Sequence, residues 1–299
     1  MIKEKQIIHA PVNLGLRRHL DGRERGCNKL PDKLEELGFH TSIGAKVASR
    51  LTQPIYPEGQ IFHDGALNVY QIATLSVELA DNVEKVLNGF AFPIVLGGDC
   101  SVLIGSALAL ARKGKYGLIH LDAHSDYNHK GISKEAAVAG MDLALVTGKG
   151  TNILTNLENK KPYIQTENAL TFGYRESDPE SWIIDEVIAD GITCWSAEKS
   201  TREGIEKSTD EILNFMHRDN EIEGYWLHLD ADILDASIMP CVDCPEPNGL
   251  QWTELKELLS KVLASPKIVG MNVTILDPDL DVKNEVTKTF SNMLIEVLN

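Results

Sequence analysis

The stretch GLIHLDAHSDYN, Gly117 to Asn128, sets two carboxylates and an imidazole at alternate positions: Asp122, His124 and Asp126. In an extended segment alternate side chains share a face, so this spacing predicts that the three converge. A carboxylate and imidazole set suits divalent Mn, Fe, Co, Ni or Zn better than Ca or Mg. Taken singly, the same residues also fit a strand that runs into a polar turn, with Asp and Ser capping the next element. Two other stretches repeat the design. The apolar run Phe92 to Leu96 ends in Gly97-Gly98-Asp99-Cys100, and Tyr225 to Leu229 ends in Asp230-Ala231-Asp232 with Asp235 beyond. In a parallel sheet the C-terminal strand ends lie on one edge, so the three turns can build one site. Four carboxylates crowded there (Asp122, Asp126, Asp230, Asp232) repel strongly unless neutralised, and a pair of divalent cations about 3.5 to 4 Å apart is the usual solution. His120 and His228 each precede the first Asp of their motif by two residues and read as buried supports rather than ligands.

The elements that must position these turns follow from periodicity. Strands are expected at Gln6 to Ala10, Phe92 to Leu96, Leu118 to Leu121, Leu170 to Tyr174, Ile192 to Trp195, Tyr225 to Leu229 and Ile268 to Leu276. Helices are expected at Leu30 to Leu37, Leu67 to Leu87, Val102 to Ala111, in the MDLALVTG segment, and at Thr201 to His217, Trp252 to Leu263 and Val282 to Leu298. Asp178 and Pro179 are placed to cap and begin another helix. Alternation of strands and helices from end to end argues for one α/β domain over residues 1–299.

With 299 residues, 43% apolar and 24% charged, the chain can bury a large core. Its 44 acidic against 29 basic residues give a formal charge of -15, a surface that repels nucleic acid and anionic membranes. No apolar leader or spanning stretch is visible, and five scattered cysteines fit a reducing compartment, so the cytoplasm is expected. Cys241 and Cys244 form a lone C-x-x-C that lacks the second pair of a structural zinc site. No G-x-G-x-x-G follows the first strand, which argues against a dinucleotide-binding protein.

On these motifs the chain resembles the ureohydrolases: arginase, agmatinase, formiminoglutamase and relatives. GGDCS resembles the family's Gly-Gly-Asp-His-Ser, LDAHSD its Asp-Ala-His-x-Asp, and LDADILDASIMP its Ser-x-Asp-x-Asp-x-x-Asp-Pro. CPEPNGL, FGYRESDP and VGMNVTILDP match three further family segments in order and spacing. The resemblance implies a three-layer α/β/α fold on a parallel sheet of about eight strands, two Mn²⁺ ions, a small-molecule substrate and a homo-oligomer, trimer or hexamer. It also implies roles. Asp122 and Asp230 bridge the metals, Asp126 completes one shell together with the position held by Cys100, and His124 and Asp232 complete the other. Asp126 belongs to the catalytic apparatus, Asn128 and Asp178 contact the far end of the substrate, and Asp235 supports the ligands. The reaction implied is hydrolysis of a linear C–N bond of an amidine, guanidine or related group by water activated at the metals.

Three departures bear on that expectation. Cys100 stands where the family has a histidine ligand, which favours Zn²⁺ or a single ion over two Mn²⁺; relatives acting on N-hydroxyarginine also carry a cysteine there. Ala139 falls at the proton-shuttling histidine, and His129 is a candidate to take over proton transfer, its other reading being a loop histidine. Ile275 replaces the glutamate that pairs with a guanidinium, and an apolar residue cannot balance that charge. A substrate other than arginine is therefore expected. The alternative is a catalytically impaired relative that works as a binding or regulatory protein.

Overall fold

The computed structural model describes residues 4–129, 131–132, 136–178 and 181–299. Among the described residues there are ten strands: β1 Lys5–Ala10, β2 Lys46–Arg50, β3 Phe62–His63, β4 Ala66–Leu67, β5 Phe92–Gly97, β6 Tyr116–Leu121, β7 Ala169–Phe172, β8 Thr193–Trp195, β9 Gly224–Asp230 and β10 Ile268–Thr274. Eight of them form one sheet in the order β2-β1-β5-β10-β9-β6-β7-β8, parallel throughout, while β3 and β4 pair as a short antiparallel hairpin.

Why these segments become central strands is visible in their composition. FPIVLG, YGLIHL, GYWLHLD and IVGMNVT are nearly continuous in apolar residues and almost wholly buried, as expected where helices cover both faces. One face of the sheet packs on Leu30–Glu36, Ile205–His217, Trp252–Leu263 and Glu285–Leu298, and the other on Val69–Asn88, Val102–Lys113 and Asp142–Val146. The outcome is the expected three-layer α/β/α architecture, with two apolar layers separated by the sheet. Among the described residues, no helix is long and apolar enough to cross a membrane.

Topology positions the site. β5 and β6 are successive in the main sheet, yet β10 and β9 lie between them. The connections diverge there, and the crevice outside the strand ends at such a switch point is where α/β proteins bind ligands. Register brings the ends level: Thr274 pairs with Asp230 and Leu121 with Leu229, so Asp122 and Asp230 leave neighbouring strands together.

One strand was not expected, one expected helix needs correction, and one expectation falls partly outside the described residues. The edge strand β2 has no apolar pattern, because KVASR pairs on one side only and is mostly exposed, so nothing in its composition announced it. The helix expected over Thr201 to His217 is two, Ala197–Glu203 and Ile205–His217, divided at Gly204, whose φ of 91° lies outside helical space. The cap-and-start assignment at Asp178 and Pro179 falls partly outside the described residues, which resume in a short 3₁₀ turn, Ser181–Ile183.

Candidate metal centre

β6 ends at Leu121, and Asp126 adopts a left-handed φ of 44°. Asp122, His124 and Asp126 therefore meet through a turn, not through the pleat of a strand as their alternation predicted. The turn is pinned from below, since Ala144 N–H donates to the Asp126 carbonyl at 3.2 Å.

Within the centre each principal carboxylate is oriented by a backbone donor on one oxygen. His124 N–H donates to Asp122 Oδ1 at 2.7 Å, Asp232 N–H to Asp230 Oδ1 at 2.8 Å, and Ala123 N–H to Asp232 Oδ1 at 3.0 Å. The other oxygens turn to side chains. His124 Nδ1 lies 3.0 Å from Asp232 Oδ2, and the Cys100 thiol donates to Asp230 Oδ2 at 2.7 Å. Asp122 Oδ2 is buried without a hydrogen-bond partner. Cys100, Asp122 and Asp230 group their donor atoms within 4.8 Å of one another, as do Cys100 and Asp126 with a further acid, Asp142. Orphaned buried oxygen amid crowded carboxylates is what a cation site looks like before its charge is supplied, so the residues fit divalent metal.

Electrostatics divides the centre in two. Burial and the neighbouring carboxylates push Asp126 and Asp230 well above the ordinary carboxylate range, and burial likewise pushes the Cys100 thiol up, so that side is held neutral by protons. Burial opposes charge on His124, but Asp232 and Asp122 outweigh it and raise the imidazole well above its usual value. Asp232 is correspondingly lowered, its burial overcome by His124.

A pocket opens over these groups, and Asn128, Asp178, Ala139 and Ile275 all line it. His129 does not join that lining: its Nε2 sits 3.0 Å from Glu186 Oε1, and its Nδ1 accepts from Gly131 N–H at 3.1 Å. Asp235 faces away, its carboxylate accepting from Ser237 and Gly249 N–H to hold the loop after β9. In the C-x-x-C, Cys241 is in the core while Cys244 is exposed at the pocket. Ile275 is buried with φ 70°, a conformation that costs a β-branched residue about 1 to 3 kcal/mol. Its N–H donates to the Gly98 carbonyl at 2.8 Å, which fixes it in place.

Several contributors were missed from the sequence. Arg175 is fully buried and donates to the carbonyls of Gly173, Pro247, Asp232, Ile233 and Leu234, so one guanidinium ties the β7 end to the turn that carries Asp232. Asp99 points away from the pocket and accepts from Gly15 and Ser101 N–H, both at 2.8 Å. Asp243 lines the pocket in an ion pair with Arg25, 2.6 Å away. Asp142, wholly buried at the head of a short apolar helix, left a signal that could have been read: a lone acid inside MDLALV.

The whole chain resembles proteins of known structure. The model of the arginase family matches residues 7–298. The arginase of Bacillus subtilis (strain 168) is 29% identical over 306 residues, spanning 100% of this chain and 98% of that protein. The crystal structure of arginase from Bacillus cereus superposes with a TM-score of 0.86 at 26% identity, covering 99% of this chain and 98% of that one. Formimidoylglutamase from Bacillus subtilis shares the fold at a TM-score of 0.75 and 18% identity, over 99% of this chain and 86% of its own.

Proposed function

The chain belongs to the arginase family, and on that premise we propose that it is a metal-dependent hydrolase of a linear C–N bond in an amidine, guanidine or related group, whose substrate is not arginine. The observation that carries the hydrolase reading is the convergence of Asp122, His124, Asp126, Asp230 and Asp232 beneath one pocket. Mn²⁺ in two positions is the family's arrangement, and Cys100 favours Zn²⁺ or a single ion. Divalent ions held by these residues supply water at a lowered pKa and polarise the carbon it attacks. The chain's own residues do the rest. Backbone N–H groups fix one oxygen each of Asp122, Asp230 and Asp232, His124 balances Asp232, and Asn128 and Asp178 stand at the pocket to meet the distal part of a small substrate. Work in the cytoplasm as a homo-oligomer, trimer or hexamer, belongs to the same reading.

The substrate reading is supported by three residues of the pocket. Ile275 offers an apolar wall where a guanidinium needs an anion. Asp243 is a carboxylate of the pocket, but Arg25 already balances it. Ala139 cannot donate a proton to a basic leaving amine, a service worth roughly 10² to 10⁴ in rate. These gaps weigh most on arginine and agmatine, and least on a neutral group or an N-hydroxyguanidine with its better leaving group. The Mn²⁺- or Zn²⁺-loaded protein should release little or no urea from arginine and agmatine, and any turnover should appear on neutral or N-oxygenated analogues. Robust urea release from arginine sinks the substrate reading.

A further inference from the structure

We infer that Asp142 is an additional ligand of the metal position on the Cys100 side, taking over the place in the coordination shell that Cys100 fills poorly; the inference rests on the metal-centre reading above. Asp142 heads the short helix Asp142–Val146 and is wholly buried. Its donor atoms group with those of Cys100 and Asp126 within 4.8 Å. One oxygen is committed, since Oδ1 lies 3.2 Å from His120 Nε2. The other, Oδ2, is buried with no hydrogen-bond partner. A carboxylate with one oxygen oriented by an imidazole, the other left without a hydrogen bond, and a thiol and another carboxylate grouped with it has the form of a supported metal ligand.

The two histidines behind the centre compete for that role, and the hydrogen-bond network excludes both. His120, His228 and Asn272 lie side by side on β6, β9 and β10, with the imidazoles stacked 4.8 Å apart. Trp226 Nε1, which can only donate, gives its proton to Asn272 Oδ1 at 2.7 Å. The Asn272 amide NH₂ must then face His228 Nδ1, 2.9 Å away, and that nitrogen must accept. The network therefore places the proton of neutral His228 on Nε2, which lies 3.5 Å from Asp142 Oδ2 and 3.9 Å from Asp122 Oδ2. No lone pair is left there for a metal, even though this atom sits with Cys100, Asp122 and Asp230. His120 Nε2 faces Asp142 Oδ1 and so acts as a donor too. Both rings are positioning residues for carboxylates, and Asp142 is the group left with an oxygen that no hydrogen bond occupies. Its presence also accounts for charge: a further buried carboxylate beside Asp122 and Asp126 is costly unless a cation shares it.

Crystals of the full chain grown with Zn²⁺ alone, and separately with Mn²⁺ alone, test this by anomalous scattering at each metal's edge. The expected result is an ion on the Cys100 side with an Asp142 oxygen at about 2.2 Å. In solution, Asp142→Asn should weaken binding of that ion by about 10- to 100-fold in chelator competition, with the protein's melting checked in parallel. An ion held by Cys100, Asp126 and Asp230 while Asp142 stays on the histidines overturns the inference and leaves the metal-centre reading intact. Failure of the unaltered chain to take up either ion overturns both.

Discussion

The two halves of the centre differ in how their charge is answered. On the His124 side, an imidazole and the Asp232 carboxylate lie 3.0 Å apart and settle as an ion pair, with His124 partly open to solvent. On the Cys100 side everything is buried, the thiol is neutral, and Asp126, Asp142 and Asp230 outnumber any cation the protein supplies. The outer half is satisfied by the protein itself, whereas the inner half needs protons or metal. On the proposed reading, dependence on a cation would belong to the inner half, and Cys100, the departure from the family pattern, lies on that same half.

The contrast breaks completely if Asp230 is neutralised, because this residue touches the Cys100 thiol on one oxygen and the Asp232 N–H on the other. Asp230→Asn should abolish hydrolysis and remove at least one ion per chain by elemental analysis. Retention of full metal content would mean that the halves are not joined through Asp230. A smaller effect is expected from Cys100→His, which gives the inner half a neutral imidazole. Mn²⁺ affinity there should rise roughly tenfold, with the outer half unchanged. Unaltered Mn²⁺ uptake in a titration would remove Cys100 from the list of ligands.

The mildest test uses pH. Burial first, with neighbouring acids, raises Asp126, Asp142 and Asp230, so the folded chain holds protons that the unfolded chain has already lost. Stability carried this way is present at low pH and lost as pH rises through the raised values; for Asp142 the window runs from near 3.8 to about 6. That one group accounts for on the order of 2 to 3 kcal/mol. Raised His120 and His124 act with the same sign above it, while lowered Asp232 and three lowered histidines, His228, His9 and His40 (the last to about 4, by burial first), oppose. Chelator-treated protein should melt several degrees higher at about pH 5 than at about pH 8, and saturation with metal should shrink the difference. A melting temperature that climbs with pH in the metal-free protein would show that the lowered histidines outweigh the raised carboxylates.

How far the sequence could be read tracks the range of the physics involved. Central strands such as β6 and β9, and the helix Trp252–Leu263, were legible because burial on both faces, or on one helical face, writes a local period. The ligand turns were legible because their acids follow those strands at once. β2 was not, since an edge strand needs only backbone pairing. Nor was the polar row of Thr171, His120, His228 and Asn272, whose members meet through sheet register across four strands. Arg175 could be placed in a motif, but its five-way grip on carbonyls depends on loops that arrive from far along the chain.

Heredity meets different rules at two residues that touch through one hydrogen bond. At Gly98 a β-carbon would stand 1.5 Å from the Val12 carbonyl oxygen, so every substitution collides with the backbone of another segment. Ile275, whose N–H bonds that same glycine, already occupies a left-handed conformation that Gly, Asn and Asp accept more readily than Ile does. A single codon change there can exchange an apolar wall for a polar one and ease the backbone in the same step. Position 98 is closed to substitution by the Val12 backbone, whereas at position 275 the backbone itself favours residues that would turn this part of the pocket wall polar while the sheet beneath stays as it is.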